Sequence, residues 1–311
     1  MRPARDCSEN RELNMIRLLS QQDHDLVRSY LDKDPLHNIY LIHGLQTHGL
    51  ASEHVTFWGA FTDGQLEGIL FADNDYERRF GSLAGDNAKV LACLGRFALE
   101  AGIKTLAGKE AYIQPAIQRL PFQFRVVQVE HLCFLQVGPE QLVEYHDHPV
   151  RVVGKEEVPL LVELYQRYEL GGMDSTEQVE HEIRRAMAKG AVYFVHEAEG
   201  RPVSGARIFP QTDRAGMVDG ATTLPEFRGR GLYPCVYAAC SEYLFQRGKV
   251  RLGLINEANT NMHKVVRRCG GTFTDRWLIA VFATKPPLRR RIIPRRLRRW
   301  ALSIRERVKG Q

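Results

Sequence analysis

The chain has 311 residues, of which 44% are hydrophobic and 26% are charged, a composition typical of a folded, water-soluble protein. This length exceeds one small domain and suits two domains of ordinary size. The composition excludes a mostly disordered chain and a collagen-like or repetitive one. No apolar run of about eighteen residues is present, so we expect no membrane-spanning helix. Residues 1–15 have no apolar core, so we expect no secretory signal and a cytoplasmic protein.

Six cysteines lie at positions 7, 93, 133, 235, 240 and 269, and no two of them form a CxxC pair. None has a partner at a spacing typical of a metal site. We therefore expect neither a bound metal nor a disulfide framework, and the cysteines are predicted to be buried, reduced side chains.

The net charge of +6 is unevenly distributed along the chain. Residues 285–311 hold eleven Lys and Arg against one acid, Glu306, and so carry a net charge of +10. Residues 1–284 therefore carry a net charge of −4. The positive charge is local, and it does not indicate that the folded body binds nucleic acid.

The first half, residues 1–145, alternates predicted strands and helices. Two β-rich runs flank the turn Asp63-Gly64, which predicts a hairpin, and RRFGSLAG predicts a third strand. A helix from about residue 87 to 101 ends at Gly102. The remaining predicted elements are a strand in IKTLAG, a helix in AYIQPAIQRL with Pro115 in or near its first turn, and a long strand in VVQVEHLCFLQV.

The second half, residues 146–284, repeats this order. A hairpin is predicted across residues 199–202, and GMVDGATTL follows as a third strand. A helix near 231–247, the strand LGLIN, a helix near 259–269 and the strand TDRWLIAVF complete it. The shared order predicts two α/β domains, each a mixed, mostly antiparallel sheet flanked by helices. The polar linker EYHDHPV separates them, and its two histidines are too few for a metal site.

The segment Pro225-Glu-Phe-Arg228-Gly-Arg-Gly231 lies between a predicted strand and a predicted helix. Glycines let backbone N–H groups turn inward, a helix N-terminus adds positive charge, and arginines attract anionic oxygens. This combination is typical of a pyrophosphate site. The alternative is an ordinary glycine-containing turn with exposed arginines.

The pattern Pro225-x-x-Arg228-Gly-x-Gly231 in this context resembles motif A of the GCN5-related N-acetyltransferases, the GNAT superfamily. The resemblance continues through Asn259-x-x-Met262-x-x-Val265 to Cys269-Gly270 and covers about residues 150–284. The tandem layout also resembles double-GNAT proteins whose first copy is degenerate.

The resemblance implies that acetyl-CoA binds along the strand and the loop of the second half. The residues implied to bind it are Ala221, Thr222, Thr223, Arg228, Gly229, Arg230, Gly231, Leu232 and Asn259. The Thr223 N–H would polarise the thioester carbonyl, and Asn259 would bond either the pantetheine arm or the helix entrance. The segment AGDNAKVLACL of the first half lacks this loop and places Asp86 where cations are needed. That half is therefore expected to bind no coenzyme A and to form a wall of the substrate cleft.

Two departures from the family pattern affect the chemistry. Tyr233 replaces the usual Gly or Ala at the end of the loop, and Val266 stands where the family commonly has a proton-donating Tyr. His263 and Tyr233 are alternative acids, although each could equally be a packed or exposed residue. Asp219 and Glu257 are candidate bases, with the alternatives that Asp219 pairs with an arginine and that Glu257 is a solvated acid at a helix entrance.

The basic tail, residues 285–311, has Leu297, Trp300, Ala301, Ile304 and Val308 on one helical face and arginines on the other. It is predicted either to dock on its own domain or to contact an anionic membrane surface or RNA.

The predicted function is transfer of an acyl group from coenzyme A to a small-molecule or peptide amine by direct attack on the thioester, and acetyl is the favoured acyl group. The alternatives are a non-catalytic acyl-CoA sensor and an acyltransferase acting at a membrane surface. The acceptor amine and the oligomeric state are not predicted by the sequence.

Overall fold

The computed structural model describes residues 15–75, 79–118, 120–166 and 175–284. The basic tail, residues 285–311, lies outside the described residues, as does Cys7. The first half contains β1 (Met15–Leu18), α1 (His24–Leu31), α2 (Ile39–His48), β2 (Val55–Thr62), β3 (Gln65–Asp73), β4 (Phe80–Gly85), α3 (Ala88–Glu100), β5 (Thr105–Lys109), α4 (Glu110–Gln118) and β6 (Phe124–Val137).

The second half repeats this order of elements, as the sequence predicted. It contains β7 (Arg151–Val152), α5 (Val158–Gln166), α6 (Thr176–Ala188), β8 (Val192–Ala198), β9 (Arg201–Gln211), β10 (Ala215–Thr223), α7 (Leu232–Phe245), β11 (Val250–Asn256), α8 (Thr260–Arg268) and β12 (Thr272–Thr284). The predicted linker falls in the irregular segment between β6 and β7.

All twelve of these strands belong to one sheet, in the order β1-β2-β3-β4-β5-β12-β6-β11-β10-β9-β8-β7. The pairs β4–β5 and β10–β11 are parallel, and the others are antiparallel. The mixed, mostly antiparallel α/β class is thus confirmed. The two sheets predicted from the sequence are, however, joined edge to edge into one.

The junction is made by exchange of the last strand of each half. β6 of the first half pairs with β11, and β12 of the second half pairs with β5, while β6 and β12 pair with each other. Lys109, Trp277, Leu132 and Asn256 lie in one row across these four strands. β5 ends at Lys109 and β11 ends at Asn256, so the carboxyl ends of both strands lie in the middle of the sheet.

Helices cover both faces of the sheet and bury its apolar side chains. α3 and α4 pack on the face that carries Leu278 and Phe282 of β12, in a core that includes Leu94 and Ile113. Trp277, one residue before Leu278, points to the opposite face and packs in a core with Ile39 of α2. The halves therefore share their core as well as their sheet.

One helix begins earlier than the sequence suggested. α4 starts at Glu110, directly after β5 and one residue before the predicted segment, and Pro115, predicted in or near the first turn, lies inside the helix. The strand-to-helix junction has no intervening loop, which is why the sequence pattern placed the start too late.

Candidate functional site

The parallel strands β10 and β11 separate near the middle of the second half. Their pairing ends at Val218 and Gly253, although β10 continues to Thr223 and β11 to Asn256. β10 also has a bulge between Asp219 and Thr222, where β10 contains one residue more than the segment of β9 that pairs with it. Bulges bend a strand and are frequent beside active sites. The result is a cleft between the carboxyl ends of β10 and β11.

Beyond Val218, one edge of β10 is no longer paired with β11, and the backbone groups of Thr223 lie on this edge. The Leu224 N–H donates to the Val203 carbonyl of β9 at 2.9 Å. Because neighbouring residues of an extended strand direct their backbone groups to opposite edges, the Thr223 N–H and carbonyl point into the cleft. The Arg228 Nε donates to the Thr223 carbonyl at 3.0 Å, which places this arginine at the cleft edge.

The loop after β10 has the backbone that the sequence predicted for an anion site. Gly229 and Gly231 have φ angles of 77° and 78°, a region that other residues adopt only with strain. A Cβ at either position would have no heavy atom within 4 Å. The two glycines are thus required by the backbone turn, and the space beside them is open to a ligand.

α7 begins at Leu232, with Gly231 as its N-cap, and it has 14 residues. The N–H groups of its first turn have no intrahelical acceptor, and they combine with the positive end of the helix dipole. Pro234 removes one of these donors. Arg230 folds over the preceding turn, where its Nη2 donates to the Glu226 carbonyl at 3.0 Å. The loop and the helix start together form an electropositive site suited to a phosphate group.

Asn259 is used at the entrance of α8. Its Oδ1 accepts from the Met262 N–H at 3.1 Å, so the side chain caps the helix. Of the two roles considered for Asn259, this is the one that the geometry shows.

Asp219 is held by an arginine, as one of the two interpretations of the sequence predicted. The Arg207 Nε and Nη2 donate to its two carboxylate oxygens at 2.7 and 3.0 Å. Glu182 lies 3.8 Å from the same guanidinium. Such a bidentate pair engages both oxygens of the carboxylate.

Tyr233 belongs to the first turn of α7 and not to the loop before it. Its side chain is partly buried against two apolar cores, and its ring lies edge-on to Tyr237 at 6.2 Å. Burial raises the pKa of the Tyr233 hydroxyl, which opposes its use as an acid. Val266 is 1% exposed and belongs to the same core. Neither side chain supplies a proton donor at the cleft.

Glu257 and His263 come together at the carboxyl end of β11. The His263 Nε2 lies 3.1 Å from the Asn256 carbonyl, so Nε2 carries the proton and Nδ1 is the basic nitrogen. The His263 ring stacks on Phe273 at 4.7 Å. The Glu257 Oε1 lies 3.3 Å from the Arg276 Nε. These are the two predicted catalytic residues that the structure places near each other.

Three polar residues that were not predicted from the sequence lie close to Glu257. Arg276 of β12 also lies 3.9 Å from Glu110, and Glu110 lies 3.9 Å from the His131 Nδ1. The Glu257 N–H donates to the His131 carbonyl at 3.0 Å. Glu110 and His131 belong to the first half, so only the strand exchange brings them here. No local sequence signal could have identified them.

Tyr165, at the end of α5, was also missed. It is 1% exposed, and its hydroxyl has no hydrogen-bond partner among the described residues. This oxygen lies 3.5 Å from the position of a Cβ on Gly220, inside the β10 bulge. A buried hydroxyl without a partner beside the cleft is a candidate contact for a bound substrate.

Within residues 15–75, 79–118, 120–166 and 175–284, no three His, Cys, Asp or Glu side chains are grouped closely enough to hold a metal ion. The same part of the chain contains no helix with the length and apolar character needed to span a bilayer.

Comparison with protein-family models finds that residues 159–271 match the acetyltransferase (GNAT) family. No curated protein matches the sequence.

Several solved structures resemble the whole fold. A tandem GNAT protein from the clavulanic acid biosynthesis pathway superposes with a TM-score of 0.59 at 15% identity, covering 89% of this chain and 99% of its own. A GCN5-related N-acetyltransferase from Sphaerobacter thermophilus gives 0.59 at 13% identity, covering 88% and 96%. A GNAT-family acetyltransferase from Colwellia psychrerythraea gives 0.57 at 14% identity, covering 86% and 100%. At these identities the likeness concerns the fold.

Proposed function

We propose that this chain transfers an acyl group from coenzyme A to an amine, because residues 159–271 match the GNAT acetyltransferase family. Acetyl is the first acyl group to test. One observation carries the proposal: Arg228–Gly231 forms an open, electropositive turn at the start of α7, beside the cleft between β10 and β11. A pyrophosphate fits this turn because its oxygens would accept hydrogen bonds from backbone N–H groups and from arginines.

Different residues of the second half would contact different parts of coenzyme A along the cleft. Arg228, Arg230 and the backbone N–H groups of Gly229, Gly231 and Leu232 would hold the pyrophosphate. Ala221, Thr222 and Thr223 would lie along the pantetheine arm. The Thr223 N–H would donate to the acyl oxygen as negative charge develops there, a role in which one preorganised donor is worth about 3–4 kcal/mol.

Coenzyme A would supply the thioester, whose carbonyl carbon bonds to the amine nitrogen as the C–S bond breaks and the thiolate leaves. The thiolate can leave unprotonated, because thiols have a pKa of about 8.5. The absence of a tyrosine at Val266 is therefore tolerable. Glu257 and His263 are the candidate bases that would take the proton from the attacking amine.

A non-catalytic acyl-CoA sensor is the second candidate function. Val266 favours it, because the proton donor that the family commonly uses is absent and the side chain is buried in the core. Both functions need the Arg228–Gly231 loop, and turnover alone distinguishes them.

Calorimetric titration of acetyl-CoA tests the site. Gly231→Asp combined with Arg228→Ala should weaken binding at least about 100-fold, or roughly 3 kcal/mol. The matched control is Gly248→Asp with Arg184→Ala. Gly248 also has a positive φ, 67°, and open surroundings, but it lies at the other end of α7. Equal affinities in both double variants would refute the assigned site.

Release of free coenzyme A thiol in the presence of an amine library tests turnover. Acetylated product from any amine establishes the transferase, and binding without turnover over the whole library favours the sensor. With an active amine, Glu257→Gln or His263→Asn should remove the acidic limb of the pH–rate profile, where the rate falls as the base becomes protonated, if that residue is the base. A profile unchanged in both variants would assign proton removal to solvent.

The stoichiometry of acetyl-CoA should be one per chain. The first half has Asp86 where the second half has its arginines, and this carboxylate would repel a pyrophosphate. Native mass spectrometry showing two bound molecules would contradict this assignment.

A further inference from the structure

The first half has a cleft of its own, where the parallel strands β4 and β5 separate. They pair only at Phe80 with Thr105 and at Gly81 with Leu106. Beyond these pairs lies a cavity of about 340 Å³. It is lined by residues 84–86 at the end of β4, by residues 109, 111 and 112 at the junction of β5 and α4, and by residues 30, 33, 34 and 38 from the end of α1 to the start of α2. This volume is at the lower end of about 300–1,000 Å³ for small-molecule pockets, far too small for a whole coenzyme A molecule.

Asn38 gives this cavity an unpartnered hydrogen-bond acceptor. The residue lines the cavity and is only 2% exposed. Its Nδ2 donates to the Leu31 carbonyl at 2.9 Å, which fixes the orientation of the amide. Its Oδ1 has no hydrogen-bond partner among the described residues. A buried acceptor left unpaired destabilises the protein, so a ligand that donates a hydrogen bond to it would gain affinity.

Two opposite charges on the cavity wall are available to a ligand. Lys33 and Asp86 both line the cavity, both are exposed, and neither forms an ion pair within the described part of the chain. The Lys33 ammonium lies 4.5 Å from the centre of the Tyr30 ring. Burial raises the pKa of the Tyr30 hydroxyl, and the nearby Asp86 carboxylate raises it further, so the phenol stays neutral.

The other charged side chains of the cavity wall are paired. Asp34 accepts from the Lys109 ammonium at 3.2 Å and from the Tyr112 hydroxyl at 3.0 Å, and it lies 2.7 Å from the His37 Nδ1. Asp275 of β12 lies 3.3 Å from both the Lys109 Nζ and the His37 Nε2. Lys33 and Asp86 are therefore the charged residues of the wall that have no ion pair among the described residues.

We propose that this cavity binds a zwitterion of amino-acid size. Its ammonium group faces Asp86, its carboxylate faces Lys33, and a hydrogen-bond donor reaches the Asn38 Oδ1. The site differs from the coenzyme A site in position, size and charge, and it does not depend on the function proposed above.

Calorimetry on the full chain tests the proposal with three sets of probes: the standard L-amino acids, their N-acetyl derivatives and their carboxamides. At least one amino acid should bind, and loss of either its ammonium or its carboxylate should weaken binding at least about tenfold. Asp86→Asn should weaken binding of the amino acid by a similar factor but leave the affinity for its N-acetyl derivative unchanged. Lys33→Gln should also weaken binding of the amino acid, but it should leave the affinity for the carboxamide unchanged.

Asp25→Asn is the matched control, because Asp25 is a fully exposed acid on α1. It should leave the affinity unchanged, and circular dichroism should show that all three variants fold. The proposal is overturned if no amino acid binds, if the neutralised derivatives bind equally well, or if Asp86→Asn has no effect. Acetyl-CoA titrated in the same samples separates this failure from a failure of the proposed function.

Discussion

Replacing Trp277 with alanine removes the side chain that lies at the junction of the two halves. Trp277 is fully buried, and its residue on β12 pairs with Lys109 of β5 on one side and Leu132 of β6 on the other. Its ring stacks on Phe134 with centroids 5.6 Å apart and an interplanar angle of 10°. The substitution therefore weakens the shared core from the point where both halves meet.

The expected loss follows from burial and from one unpaired donor. A buried Trp removes about 150–250 Å² from water, which at about 25 cal/mol per Å² is worth roughly 4–6 kcal/mol. The indole Nε1 is buried without a hydrogen-bond partner among the described residues, which offsets about 1–3 kcal/mol of that gain. We expect Trp277→Ala to lower the free energy of unfolding by about 3 kcal/mol, within the range for Trp-to-Ala changes in cores.

Urea unfolding followed by far-UV circular dichroism measures this loss, and pulsed hydrogen exchange read by peptide mass spectrometry follows each half separately. The two halves should unfold together at a lower urea concentration. Trp277→Phe keeps a ring on Phe134 and removes the unpaired N–H, so it should cost less than about 1.5 kcal/mol. Two separate transitions, or a shift confined to the second half, would refute the view that the halves form one cooperative unit.

Three further outcomes are expected. Asp219→Asn removes the carboxylate charge that binds Arg207 and should lower stability by about 1–3 kcal/mol, with kcat unchanged below the melting range; a loss of kcat at normal stability would make Asp219 the base. Gly95→Ala places a Cβ 2.5 Å from the Ala116 Cβ, which forces α3 and α4 apart and should cost about 2–3 kcal/mol in thermal or urea melts; an unchanged melt would mean that the helices can separate freely. Truncation after Thr284 should abolish low-salt binding to anionic vesicles and keep acetyl-CoA affinity; loss of that affinity would assign the tail to the folded body, and retained binding to RNA alone would exclude the membrane.

The hairpins could be predicted because their turns have a local chemical signature. Asp63 and Gly64 have φ angles of 48° and 78°, and Glu199 and Gly200 have 55° and 74°. Tight two-residue turns between antiparallel strands need positive φ at both positions, which Gly adopts freely and Asp tolerates. A strand, a turn of this type and a second strand are adjacent in the sequence, so one short window contains all the information.

The joining of the sheets could not be predicted in the same way. Alternation of apolar and polar residues shows which face of β6 or β12 is buried, but it does not show which strand lies beside it. β6 would have the same pattern next to β5 as next to β11. α1, α2 and α6 were also not assigned, although Ser175 and Gln178 form a capping box at the start of α6 and Gly49 ends α2.

The candidate site likewise has one part that the local sequence predicts and one part that it does not. The candidate anion-binding loop is contiguous, from Thr223 to Leu232, so its glycines and arginines are sufficient to propose it from the sequence. The polar residues around Glu257 come from separate strands and helices in both halves. Their proximity depends on the strand pairing, so the local sequence indicates Glu257 but not Glu110 or His131.

The strand exchange gives the first half a function that does not require a coenzyme of its own. β11 forms one side of the proposed coenzyme A cleft, and its other edge is covered by β6 of the first half. Without β6, that edge would expose unpaired N–H and carbonyl groups, which are open to pairing with other chains. β6 also carries His131, whose carbonyl fixes the backbone of Glu257 at the end of β11. The first half therefore completes the proposed coenzyme A cleft of the second, and its own cleft between β4 and β5, which lacks the Arg228–Gly231 type of loop, is the one proposed for a smaller ligand.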